Sequence, residues 1–175
     1  MSEVPPQSAL IVEVPQSEVA VGRHRIALDA NARRGVPAHV TVLFPFMPPA
    51  QIDASTLAEL GRLFASTASF DFRLTHTAWF DNDVLWLAPE DPQPFRALTE
   101  LVFRAFPDFP PFEGQFSDLA PHLTVANGCD LANMRDAERA LQQHLPIHGH
   151  VGEVTLLVRT EGRSGWTNER TFPLA

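Results

Sequence analysis

Apolar and polar positions along this chain fall into two strand-like patterns and one helical one. Ala9 to Val14 and Val84 to Ala88 are almost continuously apolar and each run ends at a proline, Pro15 and Pro89, so both read as buried strands. Ala38-His39-Val40-Thr41-Val42 and Pro121-His122-Leu123-Thr124-Val125 instead alternate with period two. Successive side chains of a strand point to opposite faces, so His39 shares a face with Thr41, and His122 with Thr124. The valines and Leu123 share the other face, which suits a core and leaves each imidazole–hydroxyl pair to a cleft or to solvent.

Helical spacing follows each of these strands. Leu57, Leu60, Leu63 and Phe64 form one stripe, and Leu131, Met134, Leu141 and Leu145 the other, with Asp53 and Asp130 placed to cap them. Phe95, Leu98, Leu101, Val102 and Ala105 predict a further helix, opened by Pro94 and stopped at Pro107. Val21, Leu28 and Ala32 give a weaker stripe ahead of His39, flanked by Arg23, Arg25, Arg33 and Arg34. Each half closes on a β-rich stretch, Phe70 to Leu74 and Val154 to Val158. The pattern is one strand-helix-strand-helix-strand unit used twice. Asp108 to Leu119, with Pro110, Pro111 and Gly114, reads as a loop leading into the second motif and positioned to cover a cleft.

With 175 residues and 45% hydrophobic content the chain can bury a core as one bilobal domain spanning 1–175, with lobes of roughly 1–80 and 81–175. Terminal strands are free to exchange between such lobes. No apolar stretch approaches the roughly 20 residues of a membrane span, and Met1 to Ser8 lacks the features of a secretory signal, so a cytoplasmic protein is expected. The lone Cys129 excludes an internal disulfide and a multi-thiolate zinc site. His148 and His150 share a strand face but find no third ligand at convincing spacing, so no metal is expected there. Arg33 and Arg34 suit a solvated helix end.

Charge narrows the function further. A net charge of −8 argues against a broad nucleic-acid-binding surface, which needs Lys and Arg to neutralise phosphates. All 13 basic residues are arginine. Without a lysine there is no lysine nucleophile, Schiff base or P-loop lysine, which excludes lysine-adenylylating ligases and P-loop kinases. Arginine binds phosphate through a planar fork, so a local cation can still hold a small phosphorylated substrate.

The two tetrads His39-Val40-Thr41-Val42 and His122-Leu123-Thr124-Val125 resemble the signature of the two-histidine phosphoesterase superfamily, which includes the RNA 2′,3′-cyclic phosphodiesterases also called 2′-5′ RNA ligases. The longer wording Ala38 to Phe46 is similar to a bacterial branch, and the order of elements matches from the Leu10 strand to Phe172. The resemblance implies an α+β, bilobal, pseudo-twofold fold with mainly antiparallel sheets and a central cleft where the tetrads meet. It implies a reaction without metal or other cofactor, with His39 and His122 as general base and acid on a 2′,3′-cyclic phosphate and Thr41 and Thr124 on the phosphate oxygens. The expected partner is a small cyclic-phosphate nucleotide or an RNA terminus.

That chemistry is sound on its own terms. In-line opening of the ring needs a base for water and, across phosphorus, an acid for the leaving ribose oxygen; two imidazoles supply both near neutrality. In a symmetric pair the two roles are interchangeable. Many relatives carry Lys or Arg two residues after the first threonine and three after the second, where this chain has Leu43 and Asn127. Charge neutralisation then falls to another arginine, with Arg23, Arg25 and Arg34 as candidates. Tyrosine is absent, so candidate substrate contacts are Phe44, Phe46 and Phe116, with Trp79 and Phe80 as further aromatics. The alternative reading is a catalytically weak module that binds a nucleotide or RNA end on the same fold.

Overall fold

The computed structural model describes residues 5–115 and 120–175. The two apolar runs become β1 (Gln7–Glu13) and β4 (Val84–Pro89), each lying inside a sheet, where both faces are covered. The two alternating segments become their neighbours at the sheet edges, β2 (His39–Leu43) and β5 (Leu123–Asn127). Burial alternates as the pattern requires, with Val40 and Leu123 fully buried and His39, Thr41 and Thr124 half-buried.

Two four-stranded antiparallel sheets result. The first has the order β2-β1-β7-β8, with β7 at Glu153–Arg159 and β8 at Thr167–Pro173. The second has the order β5-β4-β3-β6, with β3 at Phe70–Phe80 and β6 at Ile147–Val151. The strand ending the first half, β3, therefore pairs with β4, and the matching strand of the second half, β7, pairs with β1. The helices are α1 (Glu18–Leu28), α2 (Ala30–Arg33), α3 (Ala54–Ala65), α4 (Gln93–Ala105) and α5 (Leu131–Leu141). They cross over in the same way: α1, which follows β1, packs on β5, and α4, which follows β4, packs on β2. Edge strands β2 and β5 lie beside each other. Among the described residues no helix is long and apolar enough to cross a membrane.

Both expected caps form: an Asp53 carboxylate oxygen accepts from the Thr56 N–H at 2.8 Å, and Asp130 accepts from the Asn133 N–H at 3.1 Å. The weak first-half stripe is a full helix whose inner face carries Ala20, Val21, Gly22 and Arg25. Apolar periodicity understates it because a buried ion pair takes the place of a large apolar side chain. The Arg25 guanidinium donates to Asp29 at 3.2 Å and to the Val36 carbonyl at 3.1 Å. Asp29 also ends α1 and caps α2 by accepting from the Asn31 N–H.

One cluster of buried residues joins the inner faces of both sheets, from Leu10, Val12 and Val40 through Leu98 and Val102 of α4 to Leu85, Leu87 and Leu123. On its opposite face the first sheet holds a smaller cluster of Ala9, Ile11, Val36 and Leu157, against which Phe44 and Trp166 pack.

Candidate active site

A matching irregularity follows each threonine. In β2, Thr41 pairs with Ile11 and Leu43 with Leu10, which leaves Val42 without a partner. In β5, Thr124 pairs with Trp86 and Ala126 with Leu85, which leaves Val125 without one. These are β-bulges, which re-aim the side chains beyond them. Strict alternation would put Leu43 on the face of Thr41; the bulge turns it into the core, where it is fully buried. Neither Leu43 nor the exposed Asn127, at the end of β5, lines the cavity described below.

The two histidines are held alike. The Nδ1 of His39 lies 2.7 Å from the Pro37 carbonyl oxygen, and that of His122 lies 2.8 Å from the Ala120 carbonyl. A carbonyl only accepts, so Nδ1 carries the proton in each neutral ring and Nε2 keeps the basic lone pair. His39 retains some surface, but its titrating ring is enclosed. That burial pushes its pKa down to about 4; the Arg25 and His122 charges add to the fall, while the Pro37 carbonyl and Asp29 oppose it. His122 is also lowered, chiefly by burial, with the Ala120 carbonyl opposing. Phe80 and Trp86 supply much of that burial, meeting the imidazole edge-on at 5.0 and 5.7 Å between ring centres. In both rings burial therefore favours the neutral imidazole.

His122 and Thr41, from opposite strands, line a single cavity of about 400 Å³. The rest of its wall comes from Val42, from Arg96, Thr99, Glu100 and Phe103 of α4, from Ala120 and Pro121, and from Pro110 with Pro111, Phe112 and Gly114 of the turn Pro111–Gly114. That turn holds Phe112 at φ 49° and Glu113 at φ 55°, a left-handed conformation costly for a bulky side chain. The Phe112 N–H donates to the Phe44 carbonyl at 2.6 Å, and the two rings pack edge to face. A Thr99 hydroxyl donates to the carbonyl of the bulge residue Val42 at 2.6 Å, which ties α4 to the threonine strand.

His39, Thr41, His122 and Thr124 are thus brought to neighbouring strands of the two sheets. Phe44 stands behind Phe112 and also packs on Trp166. Phe46 is not at the site: it is buried, with Phe106 and Phe109 closed around it. Phe116 lies outside the described residues. Trp79 faces α5, donating to Glu138 at 2.7 Å beneath the Arg135 guanidinium. Of the arginines considered from sequence, Arg25 is locked to Asp29, whereas Arg23 and Arg34 are exposed and none of the three lines the cavity. Arg96 does line it, a position sequence reasoning missed. The available signal was the spacing of 96, 99, 100 and 103, a second stripe beside the apolar face of α4. Among the described residues no three His, Cys, Asp or Glu side chains converge to hold a metal ion.

Known structures share this fold. Escherichia coli LigT complexed with 3′-AMP superposes with a TM-score of 0.61 at 17% identity, over 98% of this chain and 99% of that one. TT0787 of Thermus thermophilus superposes with a TM-score of 0.63 at 20% identity, over 96% and 97%. A structure described as a phosphoesterase gives 0.60 at 18% identity, over 98% and 99%. At such identities the likeness concerns the fold. No curated protein matches the sequence. The model of the 2′-5′ RNA ligase superfamily, however, matches residues 13–163, spanning both His-x-Thr strands, and the chain belongs to that superfamily.

Proposed function

We propose that the protein is a phosphodiesterase that opens 2′,3′-cyclic phosphates of small nucleotides or RNA ends by two-histidine acid–base catalysis without a metal. The observation that carries this reading is the pair of buried imidazoles on adjacent edge strands, each with Nδ1 engaged by a carbonyl two residues back and Nε2 left for proton transfer. His39, with the strongly lowered pKa, is the base: it takes a proton from water as the water oxygen attacks phosphorus. The bond to one ribose oxygen breaks on the far side, and His122 protonates that oxygen. Thr41 and Thr124 donate to the phosphate oxygens. His122 must first gain its proton, and the incoming phosphate anion favours that by opposing the effect of burial. LigT structures named as complexes with 3′-AMP, NADP+ and ATP support a nucleotide as ligand class.

A second reading, a nucleotide-binding module with little turnover, is favoured by one feature: burial lowers the pKa of both imidazoles and so disfavours the protonated acid that the reaction needs. Hydrolysis of 2′,3′-cyclic nucleotides and of a short RNA ending in a cyclic phosphate, in EDTA and followed by phosphorus NMR, separates the two. Ring opening by wild type, lost in His39→Ala and His122→Ala, is the expected result. Binding of nucleotides without turnover selects the module.

A further inference from the structure

We propose that Thr99 of α4 is a positioning residue of this site, holding Thr41 toward the ligand's phosphate through the carbonyl of the bulge residue Val42. The inference rests on the reading above that Thr41 donates to that phosphate. In β2 the bulge leaves Val42 outside the pairing with β1, so the register that fixes the rest of the strand does not fix the residue that follows Thr41. The Thr99 hydroxyl supplies that constraint, donating to the Val42 carbonyl at 2.6 Å. A threonine inside a helix can instead give its proton to the carbonyl four residues back. Here that carbonyl, of Phe95, is the longer contact at 3.3 Å, so the single hydroxyl proton goes to the strand.

Position and chemistry both make Thr99 act through Thr41. The two side chains line the same cavity, and α4 packs on β2. With its proton committed to Val42, the Thr99 oxygen has only lone pairs to turn toward a ligand, and an ionised phosphate oxygen cannot donate to them. On the β5 side the tie is of another kind. Cys129, beyond the end of the strand, places its thiol 3.0 Å from the Leu28 carbonyl at the end of α1. A thiol is a weak donor, and this contact touches neither Thr124 nor the bulge that follows it. Thr99 therefore holds its strand at the point where a small displacement matters, since about 1 Å of misplacement can cost about a hundredfold in rate.

The test is a double-mutant cycle on hydrolysis of 2′,3′-cyclic AMP. Thr99→Val and Thr99→Ala, which both remove the hydroxyl, are made alone and in combination with Thr41→Ala, while Thr99→Ser keeps it. Removing the hydroxyl is expected to lower kcat/KM about tenfold to a hundredfold, and Thr99→Ser to retain most of the activity. In the Thr41→Ala background the same removal costs nothing further, because the group that Thr99 positions is gone. A merely structural role, or direct contact of Thr99 with the ligand, gives losses that multiply. Multiplying losses, or full activity without the hydroxyl, overturn the assignment while leaving the proposed reaction standing. The methyl NMR signal of Thr41 reads the same link without turnover: it shifts in Thr99→Val and stays near its wild-type position in Thr99→Ser. A wild type inert on the cyclic nucleotide overturns the reading of the reaction. In that case a Thr41 signal that follows the Thr99 hydroxyl upholds the positioning, and one that ignores Thr99→Val overturns it as well.

Discussion

Strands β2 and β5 carry the same His-x-Thr alternation, the same bulge after the threonine and the same ring-to-carbonyl bond, yet the helices packed over them differ in charge. Counting from the strand-ending prolines Pro15 and Pro89 sets Gly22 of α1 against Arg96 of α4, and Arg25 against Thr99. On the β2 side α4 contributes a cation to the cavity and a hydroxyl to the bulge. On the β5 side α1 contributes a glycine and an arginine neutralised in the interior. A duplicated skeleton thus places two like histidines, and the helices make them unlike. His39 is enclosed near a buried ion pair, whereas His122 sits between two aromatic edges and opens on the cavity.

The comparison breaks most visibly at the histidines. His39→Ala and His122→Ala are each expected to lower turnover by about 10² to 10⁴, the usual worth of one positioned proton transfer. If the two act in one concerted step, the double variant is little worse than either single one. Multiplicative losses in a steady-state assay would mean that the two rings do not work as a unit.

The ion pair behind His39 is the next point of attack. Asp29→Asn leaves the Arg25 charge buried without its counter-ion, and breaking such a pair costs about 3 to 5 kcal/mol, read as a lower urea midpoint. It also removes an anion that raises the His39 pKa, so the imidazole should titrate below its wild-type value of about 4 in an NMR titration. An Asp29→Asn protein with unchanged His39 titration would mean that Arg25 and Asp29 act on the fold alone.

What could be read from the chain was what local periodicity encodes. Val40, Leu123 and their neighbours announced the core face of each strand, and Asp53 and Asp130 announced the starts of α3 and α5. Helix α1 was faint because Arg25 holds an inner position and is matched by a charge four residues on, which no apolar stripe records. The bulges were invisible because register belongs to a pair of strands, and with them the burial of Leu43. Arg96 becomes part of a site only once α4 docks on β2, and Phe46 leaves it because Phe106 and Phe109 close over its ring.

The enclosed histidine also makes stability depend on pH. The His39 pKa is near 4 in the folded protein and about 6.5 when unfolded, so between those values the unfolded chain binds more protons. Stability is therefore fully expressed above pH 6.5 and falls as pH drops toward 4, by up to about 3 kcal/mol from this group. His39→Gln should remove that part of the decline in urea unfolding at pH 7 and pH 4.5, while His122→Gln should change it in the same sense. Superimposable pH dependence in wild type and His39→Gln would show the ring to be hydrated.

The smallest expected difference lies in the helices that follow the two motifs. Asp130 accepts one backbone bond at the start of α5, and Asp130→Ala should cost about 1 kcal/mol, the ordinary worth of such a cap. Asp53 accepts from both the N–H and the hydroxyl of Thr56 at the start of α3, so Asp53→Ala loses two bonds and should lower the melting temperature further than Asp130→Ala. Because α3 packs on β8 and the first sheet, fraying at its start reaches a sheet that carries His39, whereas α5 follows the strand of His122. Equal shifts in both variants would mean that the second Asp53 bond is replaced by water at no cost, and that the two halves are held alike at this point even though the surroundings of their histidines are not.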